Sequence, residues 1–491
     1  MMQLFQHAKD FLTDPLSGII YGLITLVYML LIIIVPTRII IQNSILTWFS
    51  PVLAVIGFMF VLLNIFMNID QYKQKEMRIP CLLILVLFLS TIVNYDRGLI
   101  ANINTIIWQA NLLLFVFPSC IQMGKRTAEK HQDNMVLTCA SVVQYTLFLV
   151  LMIIDIAVVW SLIQYFQLYY REILTDVEFF RMGLYEGRLI GVFVTPYLAA
   201  LINSYAVSAS VFYIMSSKRK GKLFFLVSCF LSTTMIVLSG TRSVMLGILL
   251  SIAVIMAMIL VKRTNGRAGE KIKLHKKVLA VLLASMLSAG VYLAQAGYFK
   301  MLQEAAIVLN ADGGAISSSD IARKDKSGNI SSNRFEIWRD YAHVLIDRPE
   351  KLILGYSQCG YMEYIRNYYP NLFIVQYFKE KYPLKYEKKN EVYDPHNTAL
   401  NVLVSTGLIG LSFVIIFAVT LYRIILMRYR QGKLRMLDYF LITILITTAT
   451  ALMFETDVFY QCSFTSIVFW MMTGFLSGRY AMDVQAVPSS H

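Results

Sequence analysis

Apolar runs near or above the ~18-residue length that spans a bilayer recur along this chain, and they restrict it to one broad architecture. About twelve can be traced, at roughly 17–35, 45–67, 79–95, 100–122, 142–164, 189–216, 222–239, 243–261, 277–298, 398–422, 438–453 and 460–478. Inside hydrocarbon every backbone polar group needs a partner from the protein itself, which selects helices. The expected fold is an all-α polytopic membrane protein with about 12 transmembrane helices. Only 15% of the residues are charged and 57% are hydrophobic, whereas a soluble domain carries about a quarter charged residues.

The formal net charge is +14, a value that by itself suggests nucleic acid. Its distribution points to topology instead. Lys73, Lys75 and Arg78 lie between spans two and three, and Lys125, Arg126 and Lys130 follow span four. Lys218 to Lys222 follow span six, Lys262 to Lys277 follow span eight, and Arg423, Arg428, Arg430, Lys433 and Arg435 follow span ten. Every second connection is basic, the positive-inside pattern of a multi-pass protein of the cytoplasmic membrane. Both termini are then expected in the cytoplasm, with membrane lipids as the partner of the basic excess and nucleic acid excluded. The first apolar run lacks a small-residue cleavage site and reads as a retained span rather than a signal peptide.

The chain divides into residues 1–298 with spans one to nine, a hydrophilic insert at 299–397, and 398–491 with spans ten to twelve and a short cytoplasmic tail. The topology puts the insert, a large extracytoplasmic loop before span ten, outside the membrane, and loops of that length usually carry function. Residues 310–332 are rich in Gly, Ser and Asp and read as flexible. Asn333, followed by Glu336, has capping-box spacing. Phe335, Trp338, Ala342 and Leu345 then form one apolar stripe of a helix that lies on the membrane or caps the spans, and Pro349 ends it. The Tyr- and Lys-rich stretch from Tyr356 to Tyr393 suits stacking on sugar rings, and equally an interfacial aromatic belt. Six cysteines are scattered; Cys359 has no disulfide partner within the insert.

Three arginines fall near outer ends of spans. Arg188 opens span six, Arg242 occupies the short turn between spans seven and eight, and Arg334 begins the loop helix. A guanidinium is always charged and presents a planar donor fork suited to phosphate or pyrophosphate; snorkelling to lipid headgroups is the bland alternative for each. His396 closes the insert, and an imidazole there can take a proton from a hydroxyl or orient it. Glu455 and Asp457, at the outer end of span eleven, offer a base instead of His396 or form a solvated turn. Asp155, in mid-span, reads as a hydrogen-bonded helix contact or as a functional carboxylate. There is no Asp-x-Asp or HExxH motif, so no metal site and no cofactor is expected.

These residues resemble a family. His396-Asn397, nine residues, Gly407, two residues and Gly410 match the His-Asn-Gly element of the O-antigen ligase/polymerase superfamily, with the glycines on the following helix where they allow close helix contact. Arg242 and Leu246, preceded by Ser239 and Gly240, match its Arg-x-x-x-Leu element. Arg334 and Trp338, with Pro349 and Gly355 downstream, match its loop pattern, and Arg188, Gly191 and Pro196 a further one. Tyr197 stands where the family often has Asn, and Gly355 to Gly360 is stretched where Gly-x-Gly is usual. The resemblance covers about 185–425. It implies a GT-C type glycosyltransferase, metal-independent, acting on an undecaprenyl-pyrophosphate-linked glycan. His396 and Arg242 would be catalytic, with Arg188, Arg242 and Arg334 on the pyrophosphate and Asn397, Trp338, Gly407 and Gly410 in support. The expected activity is polymerisation of repeat units of a capsule, exopolysaccharide or O-antigen, alongside a flippase and a chain-length regulator of the same pathway. Ligase-type transfer to another acceptor is the alternative, and a flippase or scaffold the competing class.

Overall fold

The computed structural model describes residues 27–28, 31, 44–128, 134–167, 169–174, 179–185, 187–193, 195–216, 222–264, 333–383, 386–387, 392–460 and 462–485. It is mostly helical. Six helices among the described residues are long and apolar enough to cross a membrane: Lys75–Val93, Leu99–Lys125, Phe148–Phe166, Pro196–Met215, Lys222–Ser239 and Thr398–Arg430. Ser50–Phe66, Arg242–Ile255 and Met436–Leu452 are shorter apolar helices. The chain is therefore a polytopic membrane protein. Most of the expected first span, the ninth span and the 310–332 segment lie outside the described residues.

The order of helices is α1 (Ser44–Met67), α2 (Arg78–Val93), α3 (Leu99–Asn111), α4 (Phe117–Ala128) and α5 (Asn134–Phe166), then α6 (Pro196–Ser216), α7 (Lys222–Ser239) and α8 (Arg242–Thr264). The insert contributes α9 (Arg334–Asp347), α10 (Lys351–Leu354), α11 (Gly360–Tyr368) and α12 (Phe373–Lys381). The bundle closes with α13 (Thr398–Arg430), α14 (Met436–Leu452) and α15 (Phe464–Gln485).

Local chemistry explains several irregularities. Between α3 and α4 the chain widens into a π turn, Leu112–Val116, just before Pro118. A proline has no N–H to give the carbonyl four residues back, and the Tyr72 hydroxyl donates to that Leu114 carbonyl at 2.6 Å. Asp155 is a hydrogen-bonded helix contact: Ser228 Oγ donates to it at 2.9 Å, and Ser210 Oγ donates to Ser228 at 3.1 Å. Arg428, counted above among the topology-setting charges, is buried and faces Asp438 at 3.3 Å, with Arg479 on the same carboxylate at 3.4 Å.

Span six begins later than expected. Residues 188–191 form a strand, β3 (Arg188–Gly191), in an antiparallel meander with β1 (Tyr170–Leu174) and β2 (Phe179–Tyr185). Arg188 therefore stands on a strand opposite Tyr185, and the helix starts at Pro196. Apolarity alone did not separate strand from helix here. Gly191 has φ +63°, and a Cβ there would fall 2.0 Å from Ser161 Oγ, whose hydroxyl accepts from Val192 N.

The insert packs on its own core of Ile337, Tyr341, Val344, Tyr356, Tyr361, Ile365 and Val375. The buried face of α9 is Ile337, Asp340, Tyr341, Val344 and Leu345, one step round from the expected stripe; Phe335 is 67% exposed. The capping box is also absent: Asn333 has φ +65° and makes no side-chain cap bond. The insert docks on the spans through backbone. Tyr356 N donates to Val404 O and Ser357 N to Ser405 O, at 2.8 and 2.9 Å, where α13 breaks at Gly407 (φ +68°, ψ −167°). A Cβ on Gly407 would meet Ile353 O at 2.2 Å, and one on Gly355 would meet Ser405 C at 2.4 Å. Gly407 thus lets the backbones of α13 and α10 touch, the close helix contact expected of it, and Gly355 does the same for the residue that follows α10. Asn94 and Asn102, at the ends of α2 and α3, complete the dock by donating to Gly355 O and Ser357 Oγ.

Candidate active site

His396 sits where the insert becomes α13. Its φ of +44° is unusual for a side-chain-bearing residue and is held by Asp394 Oδ1, which accepts from His396 N at 3.1 Å. Asn397 caps α13 by accepting from Leu400 N at 2.9 Å and donates to Met453 O at 3.0 Å. Thr398 Oγ1 donates to Glu455 O at 2.6 Å. These bonds bring the α14–α15 connection against His396. Trp338 Nε1 donates to Pro395 O at 2.9 Å, so the loop helix fixes the residue before the imidazole.

The imidazole lies between two carboxylates. Nδ1 is 2.9 Å from Glu455 Oε2 and Nε2 is 3.3 Å from Asp394 Oδ1. Burial favours the neutral ring, but Asp394 and Glu455 outweigh it and push His396 up to about 9. At neutral pH it rests as an imidazolium. Arg334 faces the other oxygen of Glu455 at 3.2 Å and lies over the Phe454 ring, so the guanidinium expected on a pyrophosphate is engaged with this carboxylate. Glu455 is 18% exposed on its side chain, unlike a solvated turn. Beside it, burial, with Glu455 and Asp394 adding to it, pushes Asp457 up to about 7. Among the described residues no group of three His, Cys, Asp or Glu side chains is disposed to hold a metal ion.

The remaining arginines reach the same end of the bundle by a traceable route. Tyr197, second residue of α6, is within electrostatic reach of Asp457, Glu455 and Arg334. Thr241 Oγ1 donates to Pro196 O at 3.1 Å, which sets the start of α8 beside the start of α6. Arg242 is the exposed first residue of α8, at a helix N-terminus that favours anions. The Arg188 side chain lies against Gly240, its Cγ 3.6 Å from where a Cβ would be. Gly410 makes room for Thr406, whose hydroxyl pairs with Tyr460 at 2.7 Å, a structural role away from the imidazole.

Sequence reasoning missed Asp394 and gave Glu455 too little weight. The Asp-Pro-His order was the available signal for the first; nothing local in the sequence marks Glu455, which lies 59 residues from its partner. Tyr197, noted in the sequence as a departure from the family pattern, has a buried hydroxyl with no hydrogen-bond partner among the described residues.

These features define a polytopic membrane protein with a histidine–carboxylate pair and arginines gathered at one end of its helices. A family model for O-antigen ligase matches residues 227–415, and over this segment the chain is similar to the O-antigen ligase/polymerase superfamily. Members of that superfamily are glycosyltransferase-like ligases and polymerases, and the match supports an enzyme of that broad kind. The matched segment includes Arg242, Arg334 and His396 and excludes Arg188 and Glu455. No curated protein matches the chain.

Proposed function

We propose that this chain is a polymerase joining undecaprenyl-pyrophosphate-linked oligosaccharide repeat units into a surface polysaccharide, as a GT-C type glycosyltransferase of about 12 spans in the cytoplasmic membrane. The insert and the His396 end face outward, and the basic connections and both termini face the cytoplasm. The observation that carries this reading is the His396–Glu455 pair at the same end of the bundle as Arg188 and Arg242, in a chain whose residues 227–415 match a family model for O-antigen ligase.

In this mechanism the acceptor hydroxyl oxygen forms a bond to the anomeric carbon of the donor as the carbon–oxygen bond to the lipid pyrophosphate breaks. Glu455 orients Nδ1, and Arg334 holds Glu455. The hydroxyl approaches Nε2 from the Asp394 side, the more exposed of the two carboxylates at 30% against 18%. Nε2 takes the hydroxyl proton after the resting imidazolium has shed its own. The carboxylates make the ring a stronger base while lowering the fraction that is free. Arg188 and Arg242 stabilise the charge that develops on the leaving pyrophosphate.

Ligase-type transfer uses the same donor and is the second reading, favoured by the description of the matching family. Lipid-linked glycans isolated from a deletion strain separate the two. Accumulated single repeat units support the polymerase, whereas long polymer left on the lipid carrier overturns it.

A further inference from the structure

The insert's aromatic residues differ in exposure. Tyr341, Tyr356, Tyr361 and Tyr364 are buried in its core. Phe373, Tyr377, Tyr382 and Tyr393 stay half-exposed, and three of them form a row. Phe373 stacks on Tyr377 with centroids 5.1 Å apart, Tyr377 lies 5.2 Å from Tyr393, and Tyr393 lies 5.1 Å from the His396 ring. The row ends on the imidazole assigned above as the base.

We propose that this row is a glycan-binding track that leads the acceptor's sugar residues to His396, a proposal that rests on the polymerase reading. Tyrosine offers an apolar face to the C–H surface of a pyranose and a hydroxyl to its oxygens, at little cost in side-chain entropy. The Lys381 ammonium lies over Tyr377, Tyr382 and Tyr393 at 5.3–5.9 Å. It is exposed, so an arriving sugar ring displaces it from the aromatic faces and receives its hydrogen bonds in return. The exposed positions of α12 are Gln376, Lys379, Glu380 and Lys381, with no aliphatic side chain among them. That face is made for a hydrated polar chain rather than for acyl tails. The far end of the row is fixed: Tyr341 OH donates to Tyr393 O, and Tyr393 N to Ile374 O, so α12 and the His396 segment move as one body.

The test uses full-length protein in nanodiscs and, as probe, the repeat-unit oligosaccharide released by mild acid from the lipid-linked pool of the deletion strain. Saturation-transfer NMR should detect binding to the wild type. In the Tyr377→Ala, Tyr382→Ala double variant the affinity should fall at least tenfold, and Tyr377→Phe, which keeps the ring, should come within threefold of wild type. In cells the alanine variant should yield short chains and lose the longest. Undiminished affinity, or an unchanged length distribution in the alanine variant, overturns the track while leaving the polymerase in place. Wild-type protein that adds no polymer to the deletion strain overturns the polymerase reading and the track together. A variant whose thermal transition is lost is replaced by Tyr377→Ala alone, for which a threefold loss is expected and no loss refutes the track.

Discussion

Replacing Gly407 by Ala tests the docking of the insert on the bundle. Its φ of +68° and ψ of −167° lie in a region essentially reserved for glycine, which costs a side-chain-bearing residue about 1–3 kcal/mol. The new Cβ would stand 2.2 Å from Ile353 O and 2.6 Å from Leu354 N. Both are backbone atoms of α10 and cannot rotate away, so the end of α10 and the segment after it have to shift. The two hydrogen bonds that segment makes to Val404 and Ser405 are worth about 1 kcal/mol each. Together the strain and the lost bonds amount to about 3–5 kcal/mol, which raises the undocked population at least a hundredfold at about 1.4 kcal/mol per tenfold. Gly432→Ala is the control, because it has nearly the same φ, +67°, with nothing within 4 Å of a Cβ. The assay is limited proteolysis of the insert in nanodiscs, where cleavage follows the open population when closing is fast. Gly407→Ala should be cut at least a hundredfold faster than wild type, and Gly432→Ala at the wild-type rate. Equal cleavage of the two variants refutes the backbone-contact argument.

Because His396 sits near 9 in the folded protein against about 6.5 unperturbed, it is protonated below that range, and only roughly one site in a hundred is free at pH 7. Polymerase rate in membranes should climb about tenfold per pH unit from 6.5 and level off near 9; a flat profile removes His396 as the base. The same raised value adds stability that is complete below about 6.5 and lost as pH rises through 9, so the wild type should lose its melting advantage over His396→Gln across that window. Arg242→Ala should abolish polymer at normal protein level, and Lys should rescue it only partly because it lacks the bidentate fork; full activity of the alanine variant overturns the pyrophosphate assignment. Glu455→Gln should cost about 10²–10³-fold in rate and shift the rising limb of the profile to lower pH, whereas a normal profile would reduce Glu455 to a structural contact.

Much of this protein was legible one-dimensionally because membrane burial writes itself as long apolar runs. The helices, the end of α9 before Pro349, the hydrogen-bonded Asp155 and the family elements at Arg242, Arg334 and His396 all rest on local pattern. Where the signal was a period rather than a run, it misplaced a face: Phe335 and Ile337 both fit a three- and four-residue spacing, and only packing against α12 and α13 selected Ile337. The strand at Arg188 read as helix for a similar reason, since a short apolar segment has no period of its own.

The sequence by itself determined that the chain crosses a membrane repeatedly, that it carries one large polar insert, and that a histidine followed by spaced glycines closes that insert. Tertiary structure decided what those residues touch. It set Glu455 and Asp394 on either side of His396, paired Arg334 with Glu455, and made Gly407 a break where two backbones meet. The reason is physical. Hydrophobic burial is additive along the chain and can be read from composition, whereas a proton's affinity and a glycine's necessity depend on atoms a few ångströms away that are supplied by distant segments.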